Sequence, residues 1–155
     1  MGMAATACCL LLCLLSERDH DEGIVLNTPD KLTWKAGPNW LQPGAQIAVL
    51  EGAPAEAGPF VFRVKLPDGY LIWPYTNSAT ERVTVVQGTF NTGLGGKADR
   101  SKTKAMAAGS YSSLGRDVEH FGWAKGETII QFHGTGPFTI KYIYPPNDPR
   151  NLPPY

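Results

Sequence analysis

Phe60-Val61-Phe62-Arg63-Val64-Lys65-Leu66 places Phe60, Phe62, Val64 and Leu66 at every second position, with Arg63 and Lys65 between them. Successive side chains of a strand point to opposite faces, so this stretch reads as a β-strand with one apolar face buried and its basic residues turned to water. Pro67-Asp68-Gly69 supplies the turn that ends it. Further short runs follow the same logic: Tyr70 to Trp73, Glu81 to Gln87, Thr89-Phe90, Lys104 to Ala107, Ser110 to Leu114, Glu127 to His133 and Phe138 to Tyr144. Many are bounded by Gly, Pro, Asn or Ser, and in the second half they recur at roughly ten residues. No segment longer than two turns repeats at helical spacing. These signals predict an all-β fold, a small single-domain jelly roll or β-barrel.

Composition agrees with that reading. A chain of 155 residues fits one domain, since single cores commonly span about 100–200 residues. Lysine plus arginine (14) balances aspartate plus glutamate (14), so no global field draws the chain to nucleic acid or to an anionic membrane. Charged residues make up 18%, below the roughly 25% of an average domain. The 17 glycines and 13 prolines suit short strands joined by tight turns. Residues 1–15 carry no charge and contain Ala7-Cys8-Cys9-Leu10-Leu11-Leu12-Cys13-Leu14-Leu15, followed by Ser16-Glu17-Arg18-Asp19-His20-Asp21-Glu22. That run is shorter than the roughly 20 apolar residues of a spanning helix. It predicts a signal-peptide core, a secreted or periplasmic protein, and no stable transmembrane span. All three cysteines (Cys8, Cys9, Cys13) lie within it, so a processed chain would hold neither disulfide nor thiolate metal site. The expected organisation is an apolar leader over 1–15, a polar linker over 16–30, the β-domain over 31–144 and a Pro-rich extended tail over 145–155.

Two short motifs fail on context. Gly93-Leu94-Gly95-Gly96-Lys97-Ala98 has the letters of a dinucleotide fingerprint, but Asp99-Arg100-Ser101-Lys102 has no apolar periodicity to open a helix. Ala98 after Lys97 also removes the Ser or Thr that a phosphate loop needs for magnesium. Lys97, Arg100, Lys102 and Lys104 then read most simply as solvated loop charges.

Two spaced constellations remain. Gly69, Tyr75, Asn77, Glu81 and Gly88 are separated by five, one, three and six residues, and Gly109, Gly115, Asp117, His120 and Ala124 by five, one, two and three. Residues two apart on a strand share a face, which is how a barrel aims several side chains at one point. This frame resembles the two motifs of the cupin superfamily, Gly-x5-His-x-His-x3–4-Glu-x6-Gly and Gly-x5-Pro-x-Gly-x2-His-x3-Asn. Gly69, Glu81, Gly88, Gly109 and His120 match. Tyr75 and Asn77 replace both histidines of the first motif, and Gly115, Asp117 and Ala124 depart from the second. The resemblance runs from about Leu32 to Tyr144, including Trp34, and Gly134-Thr135-Gly136-Pro137-Phe138 is similar to the ending of small exported cupins. It implies a jelly-roll barrel, a homodimer, and a divalent metal (Zn, Fe, Mn or Ni) held by three histidines and a glutamate.

Only Glu81 and His120 carry over as matched metal ligands. Tyr75 as phenolate and Asn77 through its amide oxygen would have to complete the set, and the ordinary tyrosine pKa of ~10 opposes the first. A weak or empty metal site is therefore the expectation. Without metal, Tyr75, Glu81 and His120 form a candidate acid–base group, with burial raising the carboxyl pKa. The structural alternative is that these residues only satisfy one another in the core. His133 shares a strand face with Ile129 and Gln131 and reads as a hydrogen-bonded strand-end residue. Trp73 and Trp123 flank the motifs and are candidate ligand-pocket walls. Trp34 and Trp40 read as core or edge covers. The leading functional expectation is an exported cupin-like protein with a degenerate metal site that binds or weakly transforms a small polar ligand. A metal-dependent oxygenase or isomerase and a non-catalytic dimeric interaction module are the alternatives.

Overall fold

The computed structural model describes residues 24–152. The leader-like segment, the three cysteines and His20 lie outside that range. Nine strands follow in order: β1 (Lys35–Ala36), β2 (Gln46–Glu51), β3 (Gly58–Leu66), β4 (Leu71–Asn77), β5 (Glu81–Leu94), β6 (Thr103–Ala107), β7 (Tyr111–Leu114), β8 (His120–Gly136) and β9 (Ile140–Tyr142). Every pairing is antiparallel. The helical pieces among the described residues are three-residue 3₁₀ turns, none of them long or apolar enough to cross a membrane.

Two long strands build the sandwich. The C-terminal half of β8 lies between β3 and the first half of β5, while its N-terminal half lies between β4 and the second half of β5. One layer therefore runs β1-β2-β3-β8-β5-β7 and the other β9-β4-β8-β5-β6. Each long strand turns from layer to layer near a left-handed glycine, Gly88 in β5 and Gly126 in β8. The β5–β8 register shifts on both sides of Gln87, as expected where a bulge bends a strand. Sequence alone split β5 at Gly88 and began the last long strand at Glu127, because glycine there reads as a boundary.

The Phe60–Leu66 stripe is in place, with Phe60, Phe62, Val64 and Leu66 all at most 2% exposed. Fully burying each such side chain contributes about 1.5–3 kcal/mol. Phe62 stacks on Phe60 (5.7 Å between ring centroids) and on Phe132 (5.0 Å), so aromatic rings pack the space between the layers. On the outer face Arg63 donates to Gln131, and the Lys65 ammonium lies 4.4 Å from the centre of the Trp34 ring. Trp40 packs edge-on against Phe62.

Three expectations are corrected. Gln46–Glu51 is a strand that the alternation did not reveal, because its apolar residues, Ile47 to Leu50, are consecutive. The C-terminal segment is not uniformly extended: Pro145–Asn147 and Pro149–Asn151 form 3₁₀ turns. Proline at the start of each turn presets the φ such a turn needs, and Arg150 ties the second to Asp148 and to the Ile140 carbonyl. The strand predicted for Phe138 to Tyr144 shrinks to Ile140–Tyr142, flanked by Pro137 and Pro145, which cannot donate to a ladder.

Candidate functional site

Tyr75, Asn77, Glu81 and His120 come together in the interior, each 2–4% exposed. Their convergence depends on a bulge in β4. Ile72 pairs with Gly122 and Tyr75 with His120, with a register shift between them. Ile72 and Tyr75 are three residues apart, which in a regular strand would put them on opposite faces. Pro74, lacking an N–H, sits within the irregularity, and the extra residue brings Tyr75 and then Asn77 onto the interior face with Ile72. Residues 78–80 carry the chain across to the other layer, where Glu81 opens β5 opposite Leu114 of β7. His120 opens β8, its ring 4.2 Å from that of Tyr75.

The carboxylate of Glu81 is the hub. Tyr75 Oη donates to Glu81 Oε2 at 2.9 Å, and Asn77 Nδ2 donates to the same oxygen at 2.8 Å. His120 Nε2 lies 3.3 Å from Glu81 Oε1, an ion-pair separation without an aligned hydrogen bond. His120 Nδ1 donates to the Val118 carbonyl at 2.8 Å, which leaves Nε2 as the nitrogen that gains or loses a proton beside Glu81. Burial lowers the imidazole pKa, but contact with the Glu81 carboxylate and the Val118 carbonyl outweighs it and holds the group above its ordinary 6.5. Burial, reinforced by the Glu81 charge, pushes the Tyr75 phenol well up. Val118 lies in the loop of residues 115–119, where the motif spacing marks Gly115 and Asp117 but not Val118. Its Asp117 takes the left-handed conformation (φ 61°) and donates its N–H to the Asn77 carbonyl at 3.1 Å.

The other candidates stand apart from this cluster. Trp73 projects outward, and Trp123 lies on the outer face, its indole N–H donating to Thr103 Oγ1 and its ring under the Arg100 guanidinium at 4.7 Å. His133 lies on the outer face of the first layer; its Nδ1 is buried and has no hydrogen-bond partner among the described residues, contrary to the satisfied residue expected there. The Gly95–Lys97 segment is a loop, with Gly95 in the left-handed region.

A cavity that sequence reading missed opens between β6 and β7. Its volume is about 570 Å³, and Thr92, Lys104, Met106, Ser110 and Ser112 are among its lining residues. Thr92 pairs with Lys104 and Phe90 with Met106, so Lys104 shares the interior face of β6 with a core methionine. That placement was readable in Lys104-Ala105-Met106, where period two puts the lysine on the methionine's side. Leu94, at the cavity rim, pairs with His120, and Ser112 pairs with Val83, two residues beyond Glu81. The cavity and the polar cluster thus share framing strands, although none of the four cluster residues lines the cavity.

A model of the domain of unknown function DUF4437 matches residues 16–141. The chain belongs to the DUF4437 family. No curated protein matches it by sequence. Among solved structures, this DUF4437 chain is similar to the polyketide cyclase RemF from Streptomyces resistomycificus, with a TM-score of 0.66 and 11% identity over 82% of this chain and 90% of that one. It is also similar to a putative acetylacetone dioxygenase from Methylibium petroleiphilum (0.59, 17%, 80% and 83%) and to an RmlC-like cupin from Shewanella frigidimarina (0.56, 12%, 70% and 87%). The fold is that of the cupin superfamily, and at such identities the likeness speaks to architecture and not to chemistry.

The metal that the cupin fold implies does not fit the residues of this DUF4437 chain. Among the described residues no three His, Cys, Asp or Glu side chains gather into a metal-holding group. Tyr75 and Asn77, standing where two imidazoles would offer lone pairs, instead point an O–H and an N–H at Glu81. A cation beside Glu81 Oε2 would meet those two protons, and the raised phenol pKa opposes the phenolate that could replace one of them. Within the cluster the buried acceptors without a hydrogen-bond partner among the described residues are the Asn77 amide oxygen and His120 Nε2, and a neutral amide oxygen is a weak third donor beside Glu81 and His120. Glu81 and His120 alone fall short of the three or four protein ligands of a tight site.

Proposed function

We propose that this DUF4437 protein is a metal-independent cupin that binds a small polar ligand in the mouth of its barrel. The observation that carries this reading is the cavity between β6 and β7, lined by both polar and apolar side chains and of a volume within the usual range of small-molecule sites. The Tyr75–Asn77–Glu81–His120 cluster supports it by tying the end of β4 to the starts of β5 and β8, strands continuous with those that frame the cavity. Turnover by Tyr75, Glu81 and His120 as acid and base would require the cluster to open, because no member is more than 4% exposed; binding without turnover is the function the geometry favours. Export from the cytoplasm, suggested by the Ala7–Leu15 run, belongs to the same proposal and is checked by cell fractionation with N-terminal sequencing.

The test pairs metal analysis with ligand titration. After loading with Zn, Fe, Mn or Ni and exhaustive dialysis, the parent and Glu81→Gln should both retain well below one equivalent of metal. In parallel, saturable amide shifts confined to the residues around the mouth should appear on titration with hydroxylated small molecules. One equivalent of metal in the parent, lost in Glu81→Gln, would overturn the proposal in favour of a metal enzyme.

A further inference from the structure

We propose that the mouth cavity is an anion site, built for a small hydroxylated carboxylate whose charge is taken by Lys104; this rests on the ligand-binding reading above. Among the described residues Lys104 is the only cationic side chain lining the cavity, and no Asp or Glu lines it. Among the described residues Lys104 forms no ion pair, while its neighbours are committed elsewhere: Arg100 to the Trp123 ring and the Gly69 carbonyl, Lys102 to Asp99. Glu81, the nearest interior carboxylate along the framing strands, is engaged by Tyr75, Asn77 and His120. Lys104 is thus an exposed lysine at the cavity with no carboxylate partner among the described residues.

The rest of the lining suits the remainder of such a ligand. Ser110 and Ser112 line the cavity with hydroxyls that can donate and accept, and Thr92, whose O–H donates to Met106 Sδ at 3.5 Å, adds an acceptor for a polyol. Met106 and Leu94 offer apolar surface for its C–H faces. Among the described residues both β6 and β7 pair only with β5, so each has an edge unpaired by them whose backbone N–H groups add donors suited to an anion. An inward lysine on an edge strand also guards against pairing with another chain. That role alone requires neither a cavity of this size nor the hydroxyls opposite the lysine.

The test uses the full ¹⁵N-labelled chain and two polyols of similar size, gluconate and glucose, titrated at low and high salt. Gluconate should shift the amides of Thr92, Lys104, Ser110 and Ser112 saturably, more weakly at high salt, and glucose should bind much more weakly. Lys104→Gln should weaken gluconate about tenfold or more, the scale of a lost charge-assisted hydrogen bond, and Lys104→Arg should keep most of the affinity. Equal binding of the two polyols, or gluconate binding unchanged in Lys104→Gln, would overturn the anion assignment while leaving the ligand-binding reading intact. If Lys104→Gln only increased self-association, Lys104 would be an edge guard and the assignment would likewise fall. No response to either polyol would overturn both.

Discussion

Glu81 and His120 form a pair whose stability follows pH in one direction. The folded imidazole sits above its ordinary 6.5 because the carboxylate favours the charged ring more than burial disfavours it. Its contribution is therefore fully present below the unfolded-state pKa and is lost as pH rises through the folded one. Glu81→Gln keeps the shape but removes the charge, weakening at every pH the hydrogen bonds from Tyr75 and Asn77, each worth about 1.5–3 kcal/mol to a charged acceptor, and removing the pH-dependent ion pair with His120. The stability difference between parent and Glu81→Gln, taken from urea unfolding at several pH values from 6 to 9, should be largest at pH 6 and shrink toward pH 9. A difference that stayed constant across the series would mean that the imidazole does not titrate against Glu81. The site itself was legible because motif spacing survives substitution: Gly69, Glu81, Gly88 and His120 announced the frame even with Tyr75 and Asn77 in it. What the spacing did not carry was direction, that Tyr75 and Asn77 would spend their protons on Glu81. Spacing places a side chain on a face but does not say which of its atoms meets which.

At the level of elements, the two corner glycines look alike in sequence and differ in their surroundings. Gly88 has φ +75°, and a Cβ there would lie 2.5 Å from the Glu127 carbonyl oxygen and 3.0 Å from Thr128 Cα. Gly126 has φ +72°, and none of the described residues comes within 4 Å of the same Cβ. Alanine at Gly126 pays only the left-handed backbone cost, about 1–2 kcal/mol. At Gly88 the same cost is joined by a clash with backbone that can yield only by shifting the corner, another 1–3 kcal/mol or so. Denaturant midpoints should therefore fall markedly further for Gly88→Ala than for Gly126→Ala, and equal losses would show that the corner of β5 relaxes freely. Strand content was largely legible from period-two alternation, as in β3, β6 and β7. Strand length was not, since a glycine that bends a strand and a glycine that ends one carry the same letter. The bulge at Pro74 hid the continuation of β4 for the same reason: parity changes there, and an alternation count stops.

For the molecule as a whole, the sharing of β5 and β8 between the layers bears on both stability and binding. Neither layer can leave the other without breaking strands that both contain, and the polar cluster straddles them, with Glu81 on the first and Tyr75, Asn77 and His120 on the second. Opening should therefore be a single event. Native-state hydrogen exchange of Ile130 and Phe132, in the first-layer half of β8, should report the same opening free energy as Gly122 and Ala124 in the second-layer half. Amides of the two-residue edge strand β1 and of the terminal 3₁₀ turns should exchange with less protection. If Gly122 and Ala124 opened more than about 2 kcal/mol more easily than Ile130, the layers would be separate cooperative units, and the cluster could be exposed without global unfolding. With one unit, a ligand that binds only the folded mouth raises protection in both halves equally, by RT ln(1 + [L]/Kd). Equal gains at Ile130 and Ala124 on adding gluconate are thus expected from a rigid binding module. A gain confined to the second layer would instead reveal a barrel that opens to let Glu81 and His120 reach the ligand.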